Sequence, residues 1–155
     1  MIRKIYCLFL LLFFVACSDS SYILFDKSKP VMDNAWLSKD VKDYWVEAPK
    51  QAGIYRLLLN LRVSNEYKYS NLFILFRING PKKEFQTKRL EFKLADSQGD
   101  WLGAGSGNVF TFRILITNSY TFSNQGVYKF QIEQDMRDNP LKGIIDIGLR
   151  LERRN

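Results

Sequence analysis

The chain has 155 residues, of which 46% are hydrophobic and 15% aromatic, and its formal net charge is +7 at pH 7. A chain of this length fits one domain with a sizeable core and leaves no room for a long linker and a second domain. It contains no histidine, which excludes His-based triads, Cys–His dyads and the usual zinc sites.

The N-terminal segment has the layout of an export signal. Two basic residues precede an uncharged run from residue 5 to residue 14, and Ala16 is a small residue before Cys17. The apolar run is shorter than the roughly 20 residues that span a membrane. Phe14-Val15-Ala16-Cys17 resembles the lipobox of bacterial lipoproteins, in which the cysteine is acylated, although leucine usually stands where Phe14 does. The alternatives are an uncleaved anchor helix and an ordinary signal peptide.

We therefore predict a lipoprotein signal peptide at 1–16, a lipidated tether at 17–21 with the acyl chains on Cys17, and one folded domain at 22–155. Cys7 lies within the signal, so the mature chain would keep one cysteine and form no intramolecular disulfide. Two basic residues also leave, so 21 basic residues remain against 16 acidic ones and the net charge falls to about +5. These charges are scattered, which disfavours nucleic acid and favours anionic head groups or an acidic partner.

After the tether, aromatic and β-branched runs alternate with turn residues. The predicted strands are 22–25, 43–48, 54–64, 72–76, 85–94, 109–117, 119–122, 127–133 and 145–152. Segment 32–42 is expected to be mostly loop, with Trp36 as a plug, and the glycine-rich segment 99–107 an irregular loop around Trp101.

Alternation in 54–64, where Leu57, Leu59 and Leu61 share one face and Leu58 is the exception, predicts a half-buried antiparallel strand. Strand 72–76 is apolar on both faces, so we expect it to be central and covered on both sides. The last strand alternates aliphatic residues with polar ones. Together the elements predict an all-β fold: a single antiparallel β-sandwich, jelly-roll or immunoglobulin-like, with its strand order left open.

Carboxylate pairs offer the remaining route to catalysis. Asp96 and Asp100 flank Gly99, and Glu133 and Asp135 sit beyond a strand. Two acids in one cleft would suit a glycosidase, and the first pair also invites a calcium interpretation. The simpler interpretation is a hydrogen-bonded turn for the first pair and solvated carboxylates for the second. We predict no enzyme activity, no metal and no cofactor.

Loop aromatics allow a glycan-binding alternative, because exposed aromatic rings stack on sugars. The residues concerned are Trp36, Trp101, Tyr67 and Tyr69. The competing interpretation is that the tryptophans close the ends of the sandwich, each burying ~200 Å² of aromatic surface. The two tyrosines fit either corner positions or a partner-binding patch.

Several stretches of the chain, in order, resemble the GldH gliding-motility lipoprotein family of the Bacteroidota. They are Leu59-Asn60-Leu61-Arg62, Tyr67-Lys68-Tyr69-Ser70-Asn71-Leu72, Leu94-Ala95-Asp96, Trp101-Leu102-Gly103, Gln134-Asp135-Met136-Arg137, Pro140-Leu141 and Gly143-Ile144-Ile145-Asp146-Ile147-Gly148-Leu149-Arg150. The resemblance spans essentially the whole mature chain and agrees with the lipobox.

The resemblance implies an outer-membrane lipoprotein that assists the gliding or secretion machinery through protein contact, with envelope proteins as partners and no small-molecule substrate. No aspartate follows Cys17 directly, which by the usual sorting logic favours the outer membrane; the side that the protein faces stays open. Among the matching positions, those that are polar or aromatic and placed in loops are the candidates for partner binding. They are Asn65, Tyr67, Tyr69, Asn71, Met136 and Arg137.

Overall fold

A computed structural model describes residues 22–82 and 85–154. The predicted signal peptide, the tether and Cys17 lie outside the described residues. The strands are β1 (Ile23–Pro30), β2 (Ala35–Trp36), β3 (Lys42–Glu47), β4 (Tyr55–Ser64), β5 (Asn71–Asn79), β6 (Phe85–Lys93), β7 (Ala104–Ser106), β8 (Val109–Tyr120), β9 (Val127–Gln134), β10 (Leu141–Lys142) and β11 (Ile144–Arg153), with one 3-10 turn at Met32–Asn34. No helix in this part of the chain is long and apolar enough to cross a bilayer.

The all-β fold is confirmed, and its strand order is that of a jelly roll. One sheet has the order β1-β11-β4-β8-β7, the second β3-β9-β5-β6, and β2 pairs with β10 apart from both. Every strand pair is antiparallel. Eight strands have six or more residues. When these eight are renumbered 1 to 8 in chain order, the strand orders of the two sheets are 1-8-3-6 and 2-7-4-5. Consecutive long strands therefore mostly change sheets, which distinguishes the jelly roll from the immunoglobulin-like alternative.

The core lies between the two sheets, where the alternating strand positions point inward. On β4, Leu57, Leu59, Leu61 and Val63 are completely buried, as the period-two pattern predicts. The Tyr44 hydroxyl crosses the core and donates a hydrogen bond of 2.5 Å to the Ile147 carbonyl on the opposite sheet. Aromatic rings also meet across the core, with Phe25 against Tyr44 and Tyr120 against Phe130.

The first strand continues beyond 22–25 and ends at Pro30, at a sheet edge that tolerates proline. Two sequence-based predictions about strands need correction. Strand β5 is central in its sheet, but only its inner residues are buried; Phe73 and Leu75 on its outer face are half-buried. Segments 109–117 and 119–122 are not separate strands, because β8 runs without interruption from Val109 to Tyr120 and absorbs register shifts opposite Tyr55–Leu58.

The polar face of β11 is buried, although alternation of aliphatic and polar residues is typical of a strand with one solvated face. Asp146, Arg150 and Glu152 are each less than 10% exposed, because β1 and β4 flank the strand on both sides. Their charges are paired within the sheet: Arg150 bridges Glu152 and Asp26. Arg62 pairs with Asp146, and Arg56 pairs with Glu152. A strand pattern predicts which face a residue lies on, but not how deeply its neighbours cover it.

The connections gather at two opposite ends of the sandwich. We call the end where the described chain begins the N-terminal end, and the opposite end the far end. The described connecting residues of the N-terminal end are Tyr22, 48–54, 80–82, 121–126 and Arg154, and those of the far end are 31–41, 65–70, 94–103, 107–108 and 135–140. Because β4 alone has ten residues, a strand length of ~33 Å separates the two ends.

Candidate partner-binding surface

All six residues predicted to bind a partner lie at the far end: five are in its connecting segments, and Asn71 is the first residue of β5, which begins there. They occupy two segments, 65–71 and 136–137, which are distant in the sequence. The side chain of Tyr69 hydrogen-bonds that of Asp138, and this contact joins the two segments. The fold therefore brings the predicted residues onto one end of the molecule, although their exposure differs widely.

Tyr67 belongs to the core and not to an exposed patch. Its side chain is 3% exposed, and its hydroxyl donates a hydrogen bond of 2.7 Å to the Asn71 carbonyl. Its ring contacts the rings of Tyr69 and Trp101. Burial raises the pKa of the Tyr67 hydroxyl well above its usual value, because an apolar environment disfavours the charged phenolate. Of the two interpretations open for Tyr67, the corner position fits the geometry and the contact surface does not.

Tyr69 and Asn71 are half-buried and oriented by hydrogen bonds. The Tyr69 hydroxyl donates to the Asp138 carboxylate, which raises the pKa of the tyrosine because deprotonation would place two negative charges side by side. The Asn71 amide donates to the Glu91 carboxylate over 2.7 Å. Both side chains are therefore held in one orientation at the surface, which reduces the conformational entropy that they would lose on binding a partner.

Met136 and Arg137 make opposite use of neighbouring positions. The Met136 sulfur accepts a hydrogen bond from the Phe73 amide at 3.3 Å, and its side chain packs against the core. Arg137 is exposed and forms no ion pair within residues 22–82 and 85–154. Met136 therefore anchors the segment, while Arg137 projects from it as an available cation.

Backbone packing fixes the neighbouring loop. Gly143 has φ +82, and a Cβ atom there would lie 2.3 Å from the Tyr67 nitrogen, so only glycine permits this approach. The Gly143 carbonyl accepts from the Ser64 amide over 2.8 Å. Asn65, beyond this contact, is exposed, and its side chain reaches that of Asn108 at 3.3 Å. Hydrogen bonds and close backbone packing therefore connect these loops of the far end to one another.

The far end is also acidic. Seven acidic and three basic residues lie in its described connecting segments. Lys68 and Asp138 beside the predicted residues were not singled out in the sequence, since single loop charges carry no pattern. They extend the exposed part of the surface around Tyr69 and Arg137.

The carboxylate pairs have structural partners. The Asp96 carboxylate accepts the backbone amides of Asp100 and Gln98 at 2.9 and 2.8 Å, and these hydrogen bonds lower its pKa. This confirms the predicted turn. Glu133 and Asp135 are not simply solvated, because they pair with Arg77 and Arg89 on neighbouring strands. In the described part of the chain, no three His, Cys, Asp or Glu residues are placed to hold a metal ion together.

The tryptophans divide into two buried or packed side chains and one exposed side chain. Trp36 is completely buried, and Trp101 is half-buried, stacked on Phe110 and edged by Phe112. Both therefore act as plugs, which counts against sugar stacking at the far end. Trp45, which falls within the predicted strand 43–48, is 61% exposed on the outer face of β3. The exposure of Trp45 could have been predicted from its place in an alternating six-residue strand, because every second residue of such a strand faces solvent.

The protein is thus an all-β jelly-roll domain, and the loops of its far end form the candidate contact surface. The family model described as GldH lipoprotein matches residues 23–151, nearly the whole described domain. The chain belongs to the GldH lipoprotein family, and the resemblance noted from the sequence motifs is confirmed.

Two relatives agree with this assignment. The chain is similar to a protein named gliding motility lipoprotein GldH homolog from Christiangramia forsetii, with 28% identity over 153 residues, 94% of this chain and 92% of that protein. It is also similar to the gliding motility lipoprotein GldH of Flavobacterium johnsoniae, with 28% identity over 139 residues, 85% of this chain and 86% of that protein. No solved structure matches significantly.

Proposed function

We propose that this protein is a lipid-anchored, non-enzymatic outer-membrane accessory protein of the gliding or secretion machinery, acting through protein–protein contact. The observation that carries the proposal is the placement of the far-end surface. Asn65, Tyr69 and Arg137 reach solvent there, a full strand length from the end at which the predicted tether joins the domain. A protein anchored through Cys17 would therefore present these residues away from its own membrane.

The names of the two relatives support the link to gliding motility, and the lipobox supports the anchor. The proposed contact surface is polar and includes Arg137, which forms no ion pair among the described residues. Tyrosine and arginine are enriched at the energetic centres of interfaces. The glycan-binding alternative needs exposed far-end aromatics, and the burial of Trp36 removes one of its two tryptophans.

Replacing Cys17 by alanine is expected to abolish lipid attachment and to release the protein from the membrane fraction. The physical reason is that several acyl chains each contribute ~0.8 kcal/mol per buried methylene, which makes dissociation of the native protein negligible. Metabolic labelling with palmitate and fractionation of cells would measure both effects. The anchor proposal is overturned if Cys17→Ala still incorporates label and stays membrane-bound.

Partner contact is tested by placing a photoreactive phenylalanine analogue at position 69 and irradiating living cells. We expect adducts with envelope proteins of the motility or secretion apparatus, identified by mass spectrometry. Arg137→Ala in the same protein should reduce the adduct yield several-fold, since removal of a central interface arginine costs about 2 kcal/mol or more of binding.

The matched control places the same photoreactive residue at Gln51, which is exposed but lies at the N-terminal end. Identical adducts from positions 51 and 69, or an adduct yield that Arg137→Ala leaves unchanged, would show that the far end is not the contact surface. Tyr67 is unsuitable for this test because its replacement would disturb the core.

A further inference from the structure

We infer that the N-terminal end of the sandwich is a second interaction surface, which lies against an anionic lipid surface and orients the domain on it. This inference rests on the anchor proposed above and adds to it a direction: the acyl chains would hold the protein, and this end of the fold would set which side faces the bilayer. Three independent observations support it.

The first observation is the distribution of exposed apolar side chains. Eleven large apolar residues of the described chain are exposed, and six of them lie at or next to the N-terminal end. These six are Tyr22, Ile23, Trp45, Ile54, Phe85 and Val127. Tyrosine and tryptophan prefer the boundary between head groups and acyl chains, because their rings combine an apolar body with a polar edge.

The second observation is charge. The described connecting segments of the N-terminal end carry the basic residues Lys50, Lys82 and Arg154 and no acidic residue; the nearest strand-terminal acid, Glu47, is offset by Arg153. The far end has the opposite balance. A positively charged end on a molecule with an acidic far end aligns with its basic side toward anionic head groups.

The third observation is the geometry of the tether. Four residues lie between Cys17 and Tyr22, so the five Cα–Cα steps of a fully extended tether keep the lipidated cysteine within about 18 Å of the domain. Tyr22 is itself held to the sandwich, since its carbonyl accepts the Arg153 amide at 2.8 Å. The N-terminal end cannot therefore move far from the bilayer surface.

The loops of this end form one continuous surface. The Arg154 amide donates to the Ile54 carbonyl at 2.8 Å, and the Ala48 amide donates to the Gly126 carbonyl at 2.9 Å. Tyr22, Trp45 and Lys50 line one shallow groove. Apolar and basic groups are thus within reach of the same patch of lipid, which is the arrangement that interfacial binding requires.

The test uses the chain from residue 17 onward with Cys17→Ser, so that no acyl chain contributes. We expect it to float with phosphatidylcholine vesicles that contain phosphatidylglycerol and to bind vesicles of phosphatidylcholine alone much more weakly. Trp45 is an internal reporter, because Trp36 is buried and Trp101 is half-buried at the far end. Its fluorescence should shift to the blue on binding, and the shift should be lost in Trp45→Phe.

Charge reversal at this end, Lys50→Glu with Arg154→Glu, is expected to weaken vesicle binding at least about tenfold, since each basic residue near an anionic surface contributes about 1 kcal/mol. The matched control is Lys39→Glu with Arg137→Glu, which changes the net charge equally at the far end and should leave binding nearly unchanged.

Equal loss in both double variants would overturn the inference, because net charge alone would then explain binding. Absence of binding to anionic vesicles would also overturn it and would leave this surface to a protein partner. Neither result bears on lipidation, which the Cys17→Ala fractionation tests separately.

Discussion

Trp36→Ala is expected to lower the free energy of unfolding by about 3–5 kcal/mol, the range for deleting a large buried aromatic side chain. Trp36 is completely buried, and its indole nitrogen donates to the Asp40 carbonyl at 2.8 Å. It also pairs with Leu141 in the short β2–β10 ladder. Its removal would leave a cavity and an unpaired carbonyl, and the small ladder would lose the side chain that covers it.

The control for this prediction is Trp45→Ala, which removes the same side chain from a site 61% exposed. There the loss should stay within about 1 kcal/mol, because most of the ring faces water in the folded state. The variant also loses the contact of the ring with the Lys129 ammonium, 5.2 Å from the ring centre. Urea unfolding of the Cys17→Ser chain would measure both variants. Equal losses would mean that Trp36 does not close the sandwich.

Arg150→Met should destabilise the protein by about 3–5 kcal/mol, because it removes one partner from a buried group of charges. The Arg150 guanidinium donates to the Glu152 carboxylate at 2.5 Å and also pairs with Asp26. Its side chain is 11% exposed and that of Glu152 is 8% exposed. Without Arg150, the ion pair with Arg56 is the one that the Glu152 carboxylate keeps among residues 22–82 and 85–154.

The double variant Arg150→Met with Glu152→Met is expected to be less destabilised than Arg150→Met alone, since it removes the unpaired buried charge together with its partner. Arg137→Met, at an exposed arginine without an ion pair in the described chain, should change stability by no more than about 0.5 kcal/mol. If Arg150→Met behaved like Arg137→Met, the network on β11 would be a surface feature without consequence for folding.

The sequence predicted which segments contribute to the candidate site, but not which of their side chains are exposed. Tyr67 and Tyr69 are separated by one residue and are both aromatic loop residues in the sequence, yet one is 3% exposed and the other reaches the surface. What separates them is the close approach of Gly143, whose position next to Tyr67 arises from strands far apart along the chain. Likewise, no local pattern links Tyr69 to Asp138, because their contact depends on the return of β9 to the far end.

The sequence by itself determined where most of the long strands of this protein lie. Period-two alternation in Leu57–Val63 predicts a half-buried strand because side chains of a strand point alternately to opposite faces. The motifs around Tyr67, Trp101 and Gly143 identified the family in the same way, from local residues alone.

Only the tertiary structure decided how those elements are arranged. The choice of a jelly roll, the burial of Asp146, Arg150 and Glu152, and the exposure of Trp45 all depend on which strands become neighbours. The opposite charges of the two ends depend on the same strand pairing. Because the strands are antiparallel, successive connections lie at alternate ends of the sandwich, which brings connections that are distant in the sequence together at one end. Alternation determines which face of the strand a residue lies on, whereas long-range strand pairing determines how deeply it is buried and which residues it contacts.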